Sequence, residues 1–210
     1  FEADDFTVAN LENVLTDRTL TPKEKDTDPA YWFCAPTANA EILTSSGVEA
    51  VSLANNHTGD YGTKGYSDTV KAVTGAGLEY GGNQRTFYLE KGGFRIAVIC
   101  HGLWNEGQAG DIVRRLKAVE ADSDFQIVLY HGGKEGVHAP EPWKIRASRR
   151  LVDSGADLVL GNHPHVLQPR EIYREKEIVY SLGNFCFGGS RRPENRTIIY
   201  QLTLRIEDGK

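Results

Sequence analysis

The 210-residue chain has no methionine, only three cysteines, and no excess of basic charge. Cys34, Cys100 and Cys186 are far apart and odd in number, which excludes a disulfide framework and a CxxC metal knuckle. Cys100 and Cys186 stand beside apolar runs and are expected as buried thiols. With 24 Lys and Arg against 29 Asp and Glu, the net charge is −5. Phosphate contacts favour a basic face, so nucleic acid is not expected as the main partner. No apolar run approaches the roughly 20 residues needed to span a bilayer, and no stretch reads as a signal peptide. Membrane attachment is therefore expected only through a segment absent from this sequence. Without an initiator methionine, Phe1 leads straight into the run-up to a strand, and we expect the start to be cut rather than native. Repeats, low-complexity segments and the HExxH signature of metallopeptidases are also missing.

What is present is ordinary globular composition, 40% hydrophobic and 25% charged. We expect one domain spanning residues 1–210. Apolar, β-branched runs recur at Phe6–Ala9, Ala50–Ala54, Phe94–Cys100, Phe125–Tyr130, Asp157–Leu160, Ile178–Leu182 and Thr197–Ile206. The last alternates Ile199, Gln201 and Thr203 against its neighbours, as a strand with one wetter face would. Helical spacing falls between them at Thr37–Ser46, Tyr66–Thr74, Asp111–Ala121 and Trp143–Asp153. Strands alternating with helices of this length predict an α/β fold. Arg18–Ala30 is polar and reads as an exposed loop, while Gly132–Gly133 and Gly188–Gly189 read as loop glycines.

The residues that follow each apolar run carry the chemistry. Asn10 and Glu12 follow the first run, and Asn55, Asn56 and His57 the second. His101, His131 with Glu135, the pair His163 and His165, and Asn184 follow later ones. Ligands of open α/β sheets bind beyond the carboxyl ends of the strands. His163 and His165 flank Pro164; extended backbone would project both to one face, and proline biases its predecessor toward extended conformations. Two imidazoles burying together without a partner is costly. His131, His163, His165, Asn56 and Glu12 therefore form a mixed nitrogen and oxygen set suited to Zn, Mn or Fe, with enough ligands for two ions if Glu12 bridges. Such a site activates a water for attack on a phosphoester. His57 is the candidate general acid. Asn162 and Asn184 are candidate substrate-orienting amides, with Asn55 and Glu135 grouped beside them as substrate-binding residues. His101 and His138 are read as hydrogen-bonded core and loop residues. Lys134, Lys144, Arg146, Arg149 and Arg150 could make an anion-binding edge, although solvated helix charge is the simpler reading.

These segments resemble the CapA family of bacterial capsule proteins, the poly-γ-glutamate group that includes PgsA, a branch of the calcineurin-like metallophosphoesterases. The residues that carry the resemblance are Val8–Glu12, Ser52–His57 through Asp60–Gly62, His131–Glu135, Gly155–Asp157 through Gly161–Val166, and Val179–Phe185, in the family's order. The resemblance implies a two-sheet αββα sandwich. It implies Asn56, His131, His163 and His165 as metal ligands, Glu12 as bridging carboxylate and His57 as acid. Two departures stand out. The family's opening strand ends in Gly-Asp, and we expect that strand to have been lost ahead of Phe1. Gly132 follows His131 where the family commonly places tryptophan, which would alter the pocket wall. The family setting implies the bacterial envelope, extracytoplasmic or membrane-associated, and capsule synthase subunits as partners. The expected function is a metal-dependent phosphoester hydrolase in capsule synthesis. The alternatives are a non-catalytic envelope protein binding a polyanionic polymer or a synthase partner, and a metal-dependent γ-glutamyl amidase.

Overall fold

The structure, a computed structural model, describes residues 1, 3–187 and 196–206; Gly188–Gly189 lie outside the described residues. The chain divides into two compact units, Phe1–Arg85 and Thr86–Lys210. Both mix helices and strands, as the α/β expectation requires.

The first unit runs β1 (Val8–Asn10), β2 (Val14–Leu15), β3 (Cys34–Ala35), α1 (Ala40–Ser45), β4 (Ala50–Ser52), α2 (Gly62–Gly75) and β5 (Glu79–Gly81). β1, β4 and β5 form a parallel sheet in that order, with Asn10 opposite Ser52, and β2 pairs with β3. Helix α2 buries Gly65, Asp68, Thr69 and Val73, a stripe at helical spacing. A Cβ at Gly65 would lie 3.0 Å from Cγ1 of Val14, so glycine lets the helix lie directly against β2. The buried polar groups there are satisfied: the Leu15 amide donates to Thr69 Oγ1 at 2.9 Å, and the Thr16 hydroxyl to Asp68 at 2.7 Å. Gly77, at φ 85°, ends α2 with the Leu78 amide donating to the Val73 carbonyl and its own to Thr74, a Schellman stop.

The second unit holds β6 (Thr86–Lys91), β7 (Phe94–Gly102), α3 (Ala109–Val119), β8 (Phe125–His131), α4 (Pro142–Asp153), β9 (Leu158–Asn162), β10 (Leu167–Tyr173) and β11 (Lys176–Leu182). Its six-stranded sheet has the order β10-β11-β9-β8-β7-β6. The four central strands are parallel, and β6 and β10 add antiparallel hairpins at the edges. Arg174 and Glu175, both at positive φ, make the two-residue turn that the twist of the β10–β11 hairpin favours. Ala109, Ile112, Leu116 and Val119 of α3 and Ala147 and Leu151 of α4 pack with Ala97, Ile99, Val128, Val159 and Ile178. Full burial of such an aliphatic side chain contributes about 1.5–3 kcal/mol. The alternate residues Leu158, Leu160 and Val179 are buried on the other face, which is why these strands read as continuous apolar runs.

Two expectations are corrected. Among the described residues, Thr197–Ile206 forms no strand: Thr197 makes an isolated bridge to Gly183, the Ile198 amide donates to the Leu182 carbonyl, and the Tyr200 hydroxyl donates to Glu177. Cys186 is exposed rather than buried, whereas Cys100 lies in the core.

Candidate metal centre

In the second unit the parallel strands end side by side. Gly102 at the end of β7 stands opposite His131 at the end of β8, and His131 opposite Asn162 at the end of β9. The His131 backbone is clamped. Its carbonyl accepts from the Leu103 amide at 2.9 Å, and the Gly132 amide donates to the Asn162 carbonyl at 3.0 Å. A Cβ on Gly132 would fall 1.8 Å from the Leu103 carbonyl oxygen, so only glycine allows this approach.

His163 and His165 lie beyond β9, and they converge by a different route from the one their spacing suggests. His163 has φ 98° and His165 φ 57°, so the segment is not extended and the same-face argument does not apply. The tendency that Pro164 imposes on its neighbour is overridden while the Pro164 carbonyl accepts from the Gly136 amide at 2.8 Å. Non-glycine residues held at positive φ cost about 1–3 kcal/mol each and gather at functional sites. The result is a cluster: His163 Nδ1 is 3.2 Å from His131 Nε2, and the ring centroid of His163 lies 4.9 Å from that of His131 and 5.7 Å from that of His165. His165 Nδ1 is 2.8 Å from Asn184 Oδ1. With the amide oxygen as acceptor, a proton on Nδ1 would leave Nε2 as the ring atom able to bind a metal.

Within this cluster the His131–His163 pair has a spacing that suits either an imidazole hydrogen bond or two ligands of one divalent transition metal. Two nitrogens bound to one ion at about 2.1 Å, at angles between octahedral and tetrahedral, lie roughly 3.0–3.4 Å apart, and the observed imidazole separation of 3.2 Å falls within that span. Exposed Glu135 places a carboxylate oxygen 3.9 Å from His163 Nε2. Asn162 is half-buried at the strand end. Trp104, which the motifs did not single out, packs edge-on against His163 at 4.9 Å and His131 at 5.8 Å. It follows β7, so an indole lies against the histidines from a strand end other than that of Gly132.

The first unit carries the other candidates. Glu12 is half-buried after β1 and accepts from the Asn10 amide at 3.2 Å. Asn55 braces the loop after β4. Its amide nitrogen donates to Asn10 Oδ1 and the Leu11 carbonyl, and its oxygen accepts from the backbone amides of His57 and Thr58. Asn56 is exposed. His57 is buried, with Phe33 4.1 Å away ring to ring and Nε2 3.9 Å from Glu12 Oε1. Its Nδ1 lies 2.7 Å from Asp60 Oδ2. Asp60, 1% exposed, also accepts from the Phe33 amide at 2.9 Å and pairs with Lys25 at 2.5 Å. Both Asp60 and Lys25 Nζ, 3.3 Å away, lie at the Nδ1 side of the ring, which leaves Nε2 on the side of Glu12. Asp60 lies within the matching motif, but nothing local marked it as the partner of His57; Lys25 carried no signal in a loop that reads as solvated.

The remaining histidines keep the bland reading. His101 is buried in β7 with Nδ1 donating to the Gly102 carbonyl, and burial lowers its pKa. His138 is exposed, with Nδ1 3.3 Å from the Leu167 carbonyl. The basic edge on α4 is largely committed elsewhere. Arg146 is paired with Glu106 and Arg149 with Glu171. Lys144 is fully buried and donates to Gln168 at 2.8 Å; burial lowers its pKa to about 8, which the nearby Glu141 partly opposes.

The structure thus defines an α/β protein whose second unit gathers three imidazoles at the carboxyl ends of parallel strands. The chain belongs to the family described as bacterial capsule synthesis protein PGA_cap, which it matches over residues 1–189. It is 31% identical over 229 residues to the capsule biosynthesis protein CapA of Bacillus anthracis, a match covering 94% of this chain and 54% of that protein. It is 27% identical over 228 residues to the PGA biosynthesis protein CapA of Bacillus subtilis, covering 96% and 59%. A probable polyglutamine synthesis accessory protein of Mycobacterium tuberculosis is 28% identical over 214 residues, covering 87% and 55%. The chain therefore spans about half the length of these curated relatives. Among solved structures, a hypothetical protein from Thermus thermophilus superposes with a TM-score of 0.57 at 19% identity, covering 86% of this chain and 65% of that one, and shares the fold.

Proposed function

We propose that this chain is a metal-dependent phosphoester hydrolase serving capsule or poly-γ-glutamate synthesis at the bacterial envelope. The observation that carries the reading is the 3.2 Å approach of His163 Nδ1 to His131 Nε2, with His165 brought beside them by left-handed backbone. His131, His163 and His165 would hold a divalent Mn, Fe or Zn ion. The family resemblance assigns Asn56 and Glu12 as oxygen ligands. A bound ion of this kind supplies positive charge for a phosphoryl oxygen and acidifies a water toward neutral pH. The chain's own groups do the rest. His57, oriented by Asp60, would act as its imidazolium, giving the Nε2 proton to the leaving oxygen while the Nδ1 proton stays toward Asp60. Asn162, Asn184 and Glu135 face the substrate, and Asn55 holds the loop of His57 in shape. The calcineurin-like sandwich assignment belongs to the same proposal and rests on the family resemblance.

The names of the Bacillus and Mycobacterium relatives support the capsule and polyglutamate setting. Capsule synthase subunits are the partners this setting calls for. Among the described residues no helix is long and apolar enough to cross a membrane. A purely polymer-binding role draws less support, because Lys144, Arg146 and Arg149 of the candidate anion edge are already committed. The test is metal analysis coupled to cleavage of bis(4-nitrophenyl) phosphate. The full chain should retain a transition metal and cleave the diester, and His163→Ala should lose both. Cleavage retained in His163→Ala would refute the proposal, as would poly-γ-glutamate binding with no hydrolysis under Mn, Fe or Zn.

A further inference from the structure

The histidine cluster is bounded at both ends by aromatic carbon. Along the row Trp104, His163, His165 and Phe187, successive ring centroids are 4.9, 5.7 and 5.2 Å apart. Trp104 is 39% exposed and Phe187 41%, while the imidazoles between them are largely covered. An indole left this open in water forgoes burial that a core position would provide. Trp104 is also held in advance of any ligand. Its backbone amide donates to Gln108 Oε1 at 2.6 Å, Leu103 before it is tied to the His131 carbonyl, and Gly132 is the residue that lets this segment lie against the histidines. A half-exposed aromatic on a fixed backbone beside candidate ligands can meet a ligand face at reduced entropic cost. Of the α4 cations that would favour an extended polyanion, Lys144, Arg146 and Arg149 are committed to Gln168, Glu106 and Glu171.

We propose that Trp104 and Phe187 form a ring-binding subsite flanking the histidines, which takes a phosphoester whose retained group presents a flat or cyclic face. This rests on the hydrolase reading and names its substrate class. The test compares two diesters with one leaving group, phenyl 4-nitrophenyl phosphate and methyl 4-nitrophenyl phosphate. The wild-type chain should prefer the phenyl ester. Trp104→Ala should reduce that preference about tenfold, chiefly through KM, as expected for the loss of one stacked ring. Trp104→Phe should keep most of the preference, and metal content should stay unchanged in both variants. An unchanged preference in Trp104→Ala, or an equal fall for both esters, overturns the subsite. Calorimetric titration with phenylphosphonate and methylphosphonate separates the two proposals. If the wild type cleaves neither diester, the hydrolase reading fails. Tighter phenylphosphonate binding that Trp104→Ala abolishes would still uphold the subsite, and equal affinities would overturn it.

Discussion

Replacing His163 by glycine and, separately, by alanine isolates the backbone strain from the imidazole. Both variants lose the ring, its contact with His131 and its edge against Trp104, so those losses cancel in the comparison. What differs is the cost of a Cβ at φ 98°. That cost is about 1–3 kcal/mol for a non-glycine residue, against about 0.5–1 kcal/mol of extra unfolded-state entropy that glycine introduces. The glycine variant should therefore be the more stable of the two by about 1 kcal/mol, which for a chain of this size raises Tm by roughly 2–4 °C. Urea denaturation of the metal-free proteins measures the difference directly. His101 supplies the control, since it lies within β7 and is absent from the positive-φ residues; there glycine should be the less stable replacement. Adding Mn at about 100 times its dissociation constant should stabilise the wild type by about 2.7 kcal/mol and neither His163 variant. If His163→Gly is no more stable than His163→Ala, the strained turn is not a property of the folded chain, and the argument that strain is retained for ligation fails.

Three further outcomes follow from other parts of the structure. Burial lowers the Lys144 pKa to about 8 from 10.5, so between those values the unfolded chain binds more protons and stability rises with pH; the gain is at most about 3 kcal/mol. Urea unfolding from pH 7 to 10.5 should show that slope in the wild type and lose it in Lys144→Met, and parallel curves would refute the buried charge. Asp60→Asn should lower stability by about 2 kcal/mol by leaving Lys25 without its buried carboxylate, and should also slow diester cleavage, read by urea titration and by kcat. Gly132→Ala drives a Cβ into the Leu103 carbonyl and should destabilise by about 2–3 kcal/mol or more; near-neutral behaviour in urea would contradict that approach.

Much of the candidate centre was legible because parallel strands buried on both faces must be apolar until they end. The polar residue that follows, as at His131 and Asn184, then stands out. The α3 and α4 helices were legible for a similar reason, since one stripe of each meets the sheet. The rest depends on contacts that sequence periodicity does not encode. β2, β3 and β5 are two or three residues long, too short to show a period. The alternation at Thr197–Ile206 mimics a strand, yet among the described residues it is limited to an isolated bridge at Thr197. The rings of His163 and His165 lie 5.7 Å apart, but through left-handed backbone that opposes the local tendency of Pro164. Trp104, Asp60 and Lys25 owe their places to long-range packing and hydrogen bonds. Gly132 became meaningful only once the Leu103 carbonyl was seen where its side chain would be.

The most direct measurement is the metal content of the full 210-residue chain. The protein would be loaded with Mn, Fe or Zn, desalted and analysed by plasma mass spectrometry beside His163→Gly and a His138→Ala control. The account predicts one or two ions per chain in the wild type and in His138→Ala, and loss of bound metal in His163→Gly. Metal at background in the wild type, or equal metal in all three proteins, would contradict it.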